Sequence, residues 1–201
     1  MAKIKFTRNE LKAQREALAR YSRFLPTLEL KKMQLEMERR KILQAMTEVQ
    51  NSIAQIRAQF TTWQQILCEA YPLPVQDLVQ IAEVITTQTN IAGIFLPVFQ
   101  DVKFIIGAYD QLITPPWYDR GVRMIQDLLK KREHLKILQQ QEMIISLELR
   151  RTTQRINLFK ERLMPECREN IRQIRIYLGD MQAAAVGRAK IAKSKNQNAQ
   201  K

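Results

Sequence analysis

Apolar residues recur every seven positions along the first third of the chain. Stepping from Leu11 gives Leu11, Leu18, Leu25, Lys32, Arg39, Met46, Ile53, Phe60 and Leu67, and stepping from Tyr21 gives Tyr21, Leu28, Leu35, Ile42, Val49, Ile56 and Trp63. The two series are offset by three, which makes them the a and d positions of a heptad seam with two cationic interruptions, Lys32 and Arg39. The positions between are mostly Lys, Arg, Glu and Gln, as a solvated outer face requires. The pattern predicts a helix over about residues 9–69, roughly 90 Å long at 1.5 Å per residue. Such a length is rare in a compact domain and ordinary in a coiled coil. Pro26 lies inside it and removes a backbone hydrogen bond. The apolar phase runs on through Leu28 and Leu35, so a kink is expected there and not a break.

A second seam runs from about Tyr118 to Met181 through Ile125, Leu128, Leu135, Leu138, Ile145, Leu149, Ile156, Phe159 and Leu163. It then shifts by four, through Cys167, Ile171, Ile174 and Leu178, with Pro165 at the shift, which reads as a stutter. Two seams of similar length fold back most simply as one antiparallel two-helix coiled coil. The segment between them differs. Tyr71-Pro72-Leu73-Pro74 opens it and Thr114-Pro115-Pro116 closes it. Leu78–Thr89 and Ile94–Ile106 are rich in Val, Ile, Thr and Phe, with Asn90 and Gly93 at their junction, which predicts a β-hairpin. Pro97 then belongs on an edge or at a bulge. The expected organisation is an N-terminal coiled-coil helix over 1–70, a middle hairpin segment over 71–116, a C-terminal coiled-coil helix over 117–182 and a basic flexible tail over 183–201. The fold class is mainly α: a long antiparallel two-helix coiled coil with a short β-hairpin region between the helices.

Composition narrows the functions this layout serves. The 201 residues hold 33 Lys+Arg against 20 Asp+Glu, a net charge of +13, which points to acidic partners. Arg150, Arg151, Arg155, Arg162, Arg168, Arg172 and Arg175 recur along the C-terminal helix. Cations spread along both helices, without an aromatic stacking platform, argue against a basic zipper on nucleic acid. Cys68 and Cys167 lie far apart and the single histidine, His134, reads as a surface residue in a charged helical stretch, so no Cys/His metal site forms within the chain. There is no GxxxxGK[ST] loop, no GxGxxG and no nucleophile–base pairing, so neither a catalytic site nor a cofactor is expected. No secretory signal and no apolar stretch of about 18 residues is visible. A coiled-coil scaffold and a basic nucleic-acid-binding coiled coil are both readings open to this layout.

Several short motifs, in order along this layout, resemble those of the D subunit of the V-type/A-type ATPases. Lys5-Phe6-Thr7-Arg8-Asn9-Glu10-Leu11 resembles that family's opening T-[KR]-x-x-L. Asn90-Ile91-Ala92-Gly93-Ile94…Pro97 resembles its hairpin segment, which singles out Asn90, Gly93 and Pro97. Arg155-Ile156-Asn157, followed by Met164-Pro165, resembles its R-[VI]-N…P stretch, with departures at Leu158, Phe159 and Lys160. Arg188-Ala189-Lys190…Lys193 resembles its basic end. The resemblance implies a central-stalk rotor subunit that is itself non-catalytic. It would stand inside a hexamer of catalytic A and B subunits, be clasped by a small F subunit and reach the membrane ring through a socket subunit. It would be cytoplasmic and peripheral to the membrane, without nucleic acid and without inserting directly. Position and resemblance together put Arg8, Arg15, Arg155, Asn157, Arg162, Pro165, Arg168, Arg172 and Arg175 at the hexamer interface.

Overall fold

A computed structural model describes residues 5–67, 78–108, 114–115 and 117–199. Cys68, the Tyr71–Pro74 run and Pro116 lie outside these residues, as do the side chains of Trp63 and Leu67. The elements are α1 (Arg8–Leu67), β1 (Val79–Ile91), β2 (Ile94–Ile106), α2 (Tyr118–Asn157), a π-helical turn (Leu158–Leu163) and α3 (Met164–Ala199). The protein is mainly helical, with an antiparallel two-stranded hairpin between its helices, as the hydrophobic pattern predicts.

Helix α1 begins where its sequence provides a cap. Thr7 Oγ1 accepts a hydrogen bond from the Glu10 N–H at 3.2 Å, satisfying one of the donors that a helix start leaves open. The helix continues through Pro26, which is exposed. The carbonyl that Pro26 leaves without a donor is that of Ser22, also exposed, so water can supply the missing partner.

Contacts gather the chain into two units, Met33–Arg150 and Met1–Lys32 with Arg151–Lys201. In Met33–Arg150 the predicted seam forms the core. Leu35, Ile42, Val49 and Ile53 of α1 are buried with Leu138 and Ile145 of α2. The helices are antiparallel here: Arg39 bonds Glu142, while further along α1 Ile53 and Arg57 share a groove with Arg132 and Leu135. The same core takes in Leu96 of β2, only 1% exposed, with Ile91, Ala92 and Ile94 packed beside it. The hairpin therefore shares a core with the helices and does not stand apart as the Pro-bounded segment suggested. A second cluster joins Leu78 and Val79 at the hairpin's base to Tyr118 and Val122 at the start of α2.

The hairpin turn is Ile91-Ala92-Gly93-Ile94, with both central residues at positive φ, 52° at Ala92 and 81° at Gly93. That is the two-residue type I′ geometry that matches strand twist. Asn90 Oδ1 accepts from the Gly93 N–H at 3.0 Å, which holds the turn. Counting from the closing pair Ile91↔Ile94, hydrogen-bonded and non-hydrogen-bonded pairs alternate, so Gln88↔Pro97 falls at a non-hydrogen-bonded pair. Pro97 thus removes no ladder bond. The bulges lie elsewhere, between Ile81 and Glu83 and between Ile85 and Thr86.

In the other unit α1 pairs antiparallel with α3. Phe6 meets Tyr177, Gln14 meets Asn170 and Tyr21 meets Phe159, so partner numbers fall as α1 numbers rise. Thr152, Ile156, Met164, Cys167, Ile171 and Ile174 are buried. The phase change expected as a four-residue stutter is made by the π turn. Met164 follows Ile156 by eight positions, one more than a heptad, and a π turn absorbs one extra residue. Its cause lies just beyond it. The Pro165 ring would crowd the Glu161 carbonyl in a regular α-helix, and widening the turn over 158–163 moves that carbonyl away. Helix α3 runs to Ala199, through the stretch expected as a basic tail from 183, and residues 179–196 are all exposed. Alanines at 183–185, 189 and 192 suit a helix with little to pack against.

Candidate functional site

The predicted interface residues separate into three groups in the structure. Arg15, Arg168 and Arg175 come together. They line one groove of about 510 Å³ between α1 and α3, whose apolar floor is Leu18, Ala19 and Ile171 and whose wall includes Ser22. Positions 168, 171 and 175 share a helix face by their three- and four-residue spacing, and residues 15, 18, 19 and 22 share one on α1. Arg172 does not join them. Its guanidinium takes Glu169 in a fork, Nε to Oε2 at 2.9 Å and Nη2 to Oε1 at 2.7 Å. Those bonds, with one from Gln173, bring the Glu169 carboxyl down to about 2. Arg8, Arg155, Asn157, Arg162 and Pro165 are exposed at separate places: the first residue of α1, the end of α2, the π turn and the second residue of α3.

The hairpin residues have structural work that the sequence suggested only in part. Asn90 and Gly93 make the turn described above. Pro97 offers its carbonyl to the Gln141 side-chain amide, a buried polar group of α2 that is satisfied by this bond. Three further contacts, none of them expected from the sequence, hold hairpin to helix or strand to strand. Asp101 bonds Lys130 Nζ at 2.7 Å, and that bond followed by the Val102 N–H lowers the Asp101 carboxyl. Glu83 bonds Lys103 at 2.8 Å across the ladder, which lowers the carboxyl and raises the amine. The His134 ring stacks on Phe99 with centroids 4.8 Å apart and planes 18° from parallel. His134 is half-buried, not the free surface residue expected, and burial, then Lys131, lowers its pKa below 6.5. The one hint of this in the sequence is that His134 immediately precedes the seam residue Leu135.

Arg39, one of the two cations interrupting the seam, reaches Glu142 Oε1 at 3.1 Å, and Ser146 Oγ donates to the same oxygen at 2.6 Å. The Ser146 bond, opposed by burial and aided by Arg39, lowers the Glu142 carboxyl. Among the described residues no group of three or more His, Cys, Asp or Glu is placed to hold a metal ion, and no helix is long and apolar enough to cross a membrane. Cys167 is buried, and desolvation followed by Glu166 pushes its thiol up, away from reactivity.

The family of ATP synthase D subunits matches residues 10–194 of the chain. The D subunit of the V-type ATP synthase of Borreliella burgdorferi is 38% identical, covering 98% of this chain and 99% of the relative. The corresponding V-type ATP synthase D subunit of Chlamydia caviae is 30% identical, with 98% and 95% covered, and that of Chlamydia pneumoniae is 28% identical, with 96% and 92% covered. The match runs from residue 10 in α1 through the hairpin and α2 to residue 194 in α3: the chain belongs to the family of ATP synthase D subunits.

Proposed function

We propose that the chain is the central rotor shaft of a V-type rotary ATPase, coupling ATP hydrolysis or synthesis in an A/B hexamer to H⁺ or Na⁺ movement across the membrane. The observation that carries this reading is the antiparallel pairing of α1 with α2 and of α1 with α3, in a chain whose family is named for such an enzyme. Close-packed paired helices resist twisting, and a two-helix cross-section is not threefold symmetric. Turning inside a ring of alternating subunits, such a shaft presents a different face to each interface and favours a different nucleotide state at each. The chain itself does no chemistry in this reading; nucleotide binding and hydrolysis belong to the hexamer. A small F subunit clasps the shaft, and a socket subunit joins it to the membrane ring, so the protein is cytoplasmic and peripheral to the membrane. The exposed residues Arg8, Arg15, Arg155, Asn157, Arg162, Pro165, Arg168 and Arg175 meet the hexamer from separate places on the shaft, and Arg172, already held by Glu169, contributes least.

The test is purification of the tagged chain in mild detergent with identification of what accompanies it. A, B, F and membrane-ring subunits are expected together with ATPase activity, while the isolated chain binds no ATP at micromolar concentration by calorimetry. Recovery of the chain with no ATPase subunit would favour the scaffold reading and overturn this one.

A further inference from the structure

The basic surface of the Met1–Lys32 and Arg151–Lys201 unit is not uniform, and its uneven pairing is informative. Arg172 is neutralised within its own helix by Glu169. Lys12 sits 3.9 Å from Glu16. Arg15, Arg168 and Arg175, by contrast, have no carboxylate partner among the described residues, although the three line one groove. Three guanidiniums around one groove, with no carboxylate among its described lining residues to balance them, make it favourable for an anionic group to enter. The floor of the groove is apolar: Ile171 is buried and Leu18 half-buried. A second groove meets the first at Ala19, and there Arg20 and Arg23 flank the exposed Phe24, with Glu16, which sits 3.9 Å from Lys12, also on its wall. Cations beside apolar surface therefore repeat over this stretch of α1.

We propose that the groove lined by Arg15, Arg168 and Arg175 is a docking site for an acidic protein segment that places an apolar side chain on Leu18 and Ile171 and carboxylates against the three guanidiniums. The inference rests on the rotor reading for where such a segment comes from, a subunit of the surrounding complex, but its chemistry stands on the groove alone. Guanidinium forks match carboxylates bidentately. A phosphate backbone satisfies the same cations and leaves the apolar floor without a counterpart, so a protein segment fits better than nucleic acid. On the free subunit each exposed cation contributes little to stability. Once a partner covers the groove and displaces water, each pair strengthens. Three of the nine interface positions thus become one recognition site, and Arg172 becomes an internal control.

The experiment uses the full chain and a fluorescent peptide in which one Leu is flanked by Glu on both sides, followed by anisotropy. The Arg15→Gln/Arg168→Gln/Arg175→Gln variant is expected to bind about tenfold more weakly than the parent, a loss of about 1.4 kcal/mol. Arg172→Gln should bind within about twofold of the parent, and the triple Arg→Lys variant should recover part of the loss, which keeps the result separate from misfolding. Replacing the peptide's Leu with Ser should also weaken binding. Equal binding by parent and triple Gln variant, an equal loss in Arg172→Gln, or displacement of the peptide by duplex DNA at lower concentration than by unlabelled peptide each overturns the proposal. In the purified complex, a photo-crosslinker at Ser22 is expected to label a partner segment bearing Asp or Glu on both sides of an apolar residue. Labelling of a segment without carboxylates, or no labelling, overturns it too. Failure of the rotor reading is seen separately, as absence of ATPase subunits beside the parent chain, and leaves the peptide result intact.

Discussion

The same helix, α1, is buried to different depths in the two units. In Met33–Arg150 its seam residues Leu35, Ile42, Val49 and Ile53 are buried, and Leu35 is wholly so. In the other unit the equivalent seam residues Leu11, Leu18, Leu25 and Leu28 are only half-buried. The heptad pattern does not distinguish them, for both stretches carry aliphatic residues at the same repeat. What differs is the number of layers. Two helices cover each other along one stripe and leave its flanks to water. In Met33–Arg150 the hairpin adds a third layer, with Leu96 set into the core beside Leu138 and Ile145. Each aliphatic side chain taken fully out of water contributes about 1.5–3 kcal/mol, so the three-layer unit is expected to be the more stable.

The largest test of that contrast is alanine at matched seam positions. Leu35→Ala, on the same helix and at a site with 0% exposure, is expected to cost about 2–5 kcal/mol, because the site is closed on all sides and relaxes little. Leu18→Ala, at a half-buried site, should cost roughly half as much. Native-state hydrogen exchange reads each unit separately. Equal losses at the two sites would show that the hairpin adds no burial energy.

A sharper variant removes the link and spares the core. Gln141→Leu keeps an apolar body in place but leaves the Pro97 carbonyl without its donor, at a cost of about 1–3 kcal/mol. Protection should fall in the hairpin and its helical neighbours, with the Phe6–Tyr177 region unchanged. A loss spread evenly over both units would mean that Gln141 matters for something other than hairpin docking.

How much of this was legible in the sequence depends on the range of the interaction. The seams, continuity through Pro26 and the hairpin at Asn90–Gly93 follow from local periodicity and turn chemistry, and the structure has them, while the cap at Thr7 was not read from the sequence. The hairpin's place was not legible. Pro-rich flanks suggested a separate segment, whereas Leu96 belongs to a core whose helical members lie more than 40 residues away on either side, and no local pattern encodes that pairing. The seam cation Arg39 had the same fate, since Glu142 is distant in sequence and looks like any surface acid. At the π turn the heptad spacing selects Phe159 and Leu163 as seam residues, but the extra residue demanded by Pro165 shifts the buried face to Met164 before it rejoins the predicted seam at Cys167. For the candidate interface, position alone gave the list of arginines. Which of them converge and which are already paired needed the α1–α3 register, which is a tertiary fact.

A smaller effect concerns pH and belongs to the hairpin unit alone. The His134 pKa is lowered in the folded state, first by burial against Phe99 and then by Lys131. A base with a depressed folded pKa binds fewer protons folded than unfolded, so stability rises with pH across the window between the two values. The contribution is complete above the ordinary histidine value near 6.5 and is lost as pH falls through 6.5 towards the lower folded value. Hairpin amides should therefore exchange faster as pH falls below 6.5, after correction for intrinsic rates, while those of α3 near Ile174 show no change that begins at 6.5. His134→Phe should keep the stack and abolish the dependence. Persistence of the pH effect in that variant would assign it to another group.

The smallest expected effect lies at Glu169 and Arg172, and its smallness is what makes it useful. Their fork is well formed, and the Glu169 carboxyl is brought to about 2, led by the Arg172 bonds. Both side chains are exposed, so water screens the pair and ordering two long side chains offsets much of the gain. The sign is that of a depressed carboxylate: any stability it contributes is present above the unfolded carboxylate value of about 4.5 and is lost as pH falls from there towards 2. Arg172→Gln should thus leave the melting temperature at neutral pH almost unchanged and flatten only the acid side of the stability profile. The same substitution frees Glu169, the residue next to Arg168 in sequence. Adjacent positions on a helix do not face each other, so the freed carboxylate reaches the groove arginines only weakly. If those arginines are held open for an acidic partner, freeing Glu169 should compete with that partner slightly, weakening it by less than about twofold. A loss as large as that from the groove substitutions would show that Arg172 belongs to the docking surface after all, and that pairing within the helix does not remove an arginine from recognition.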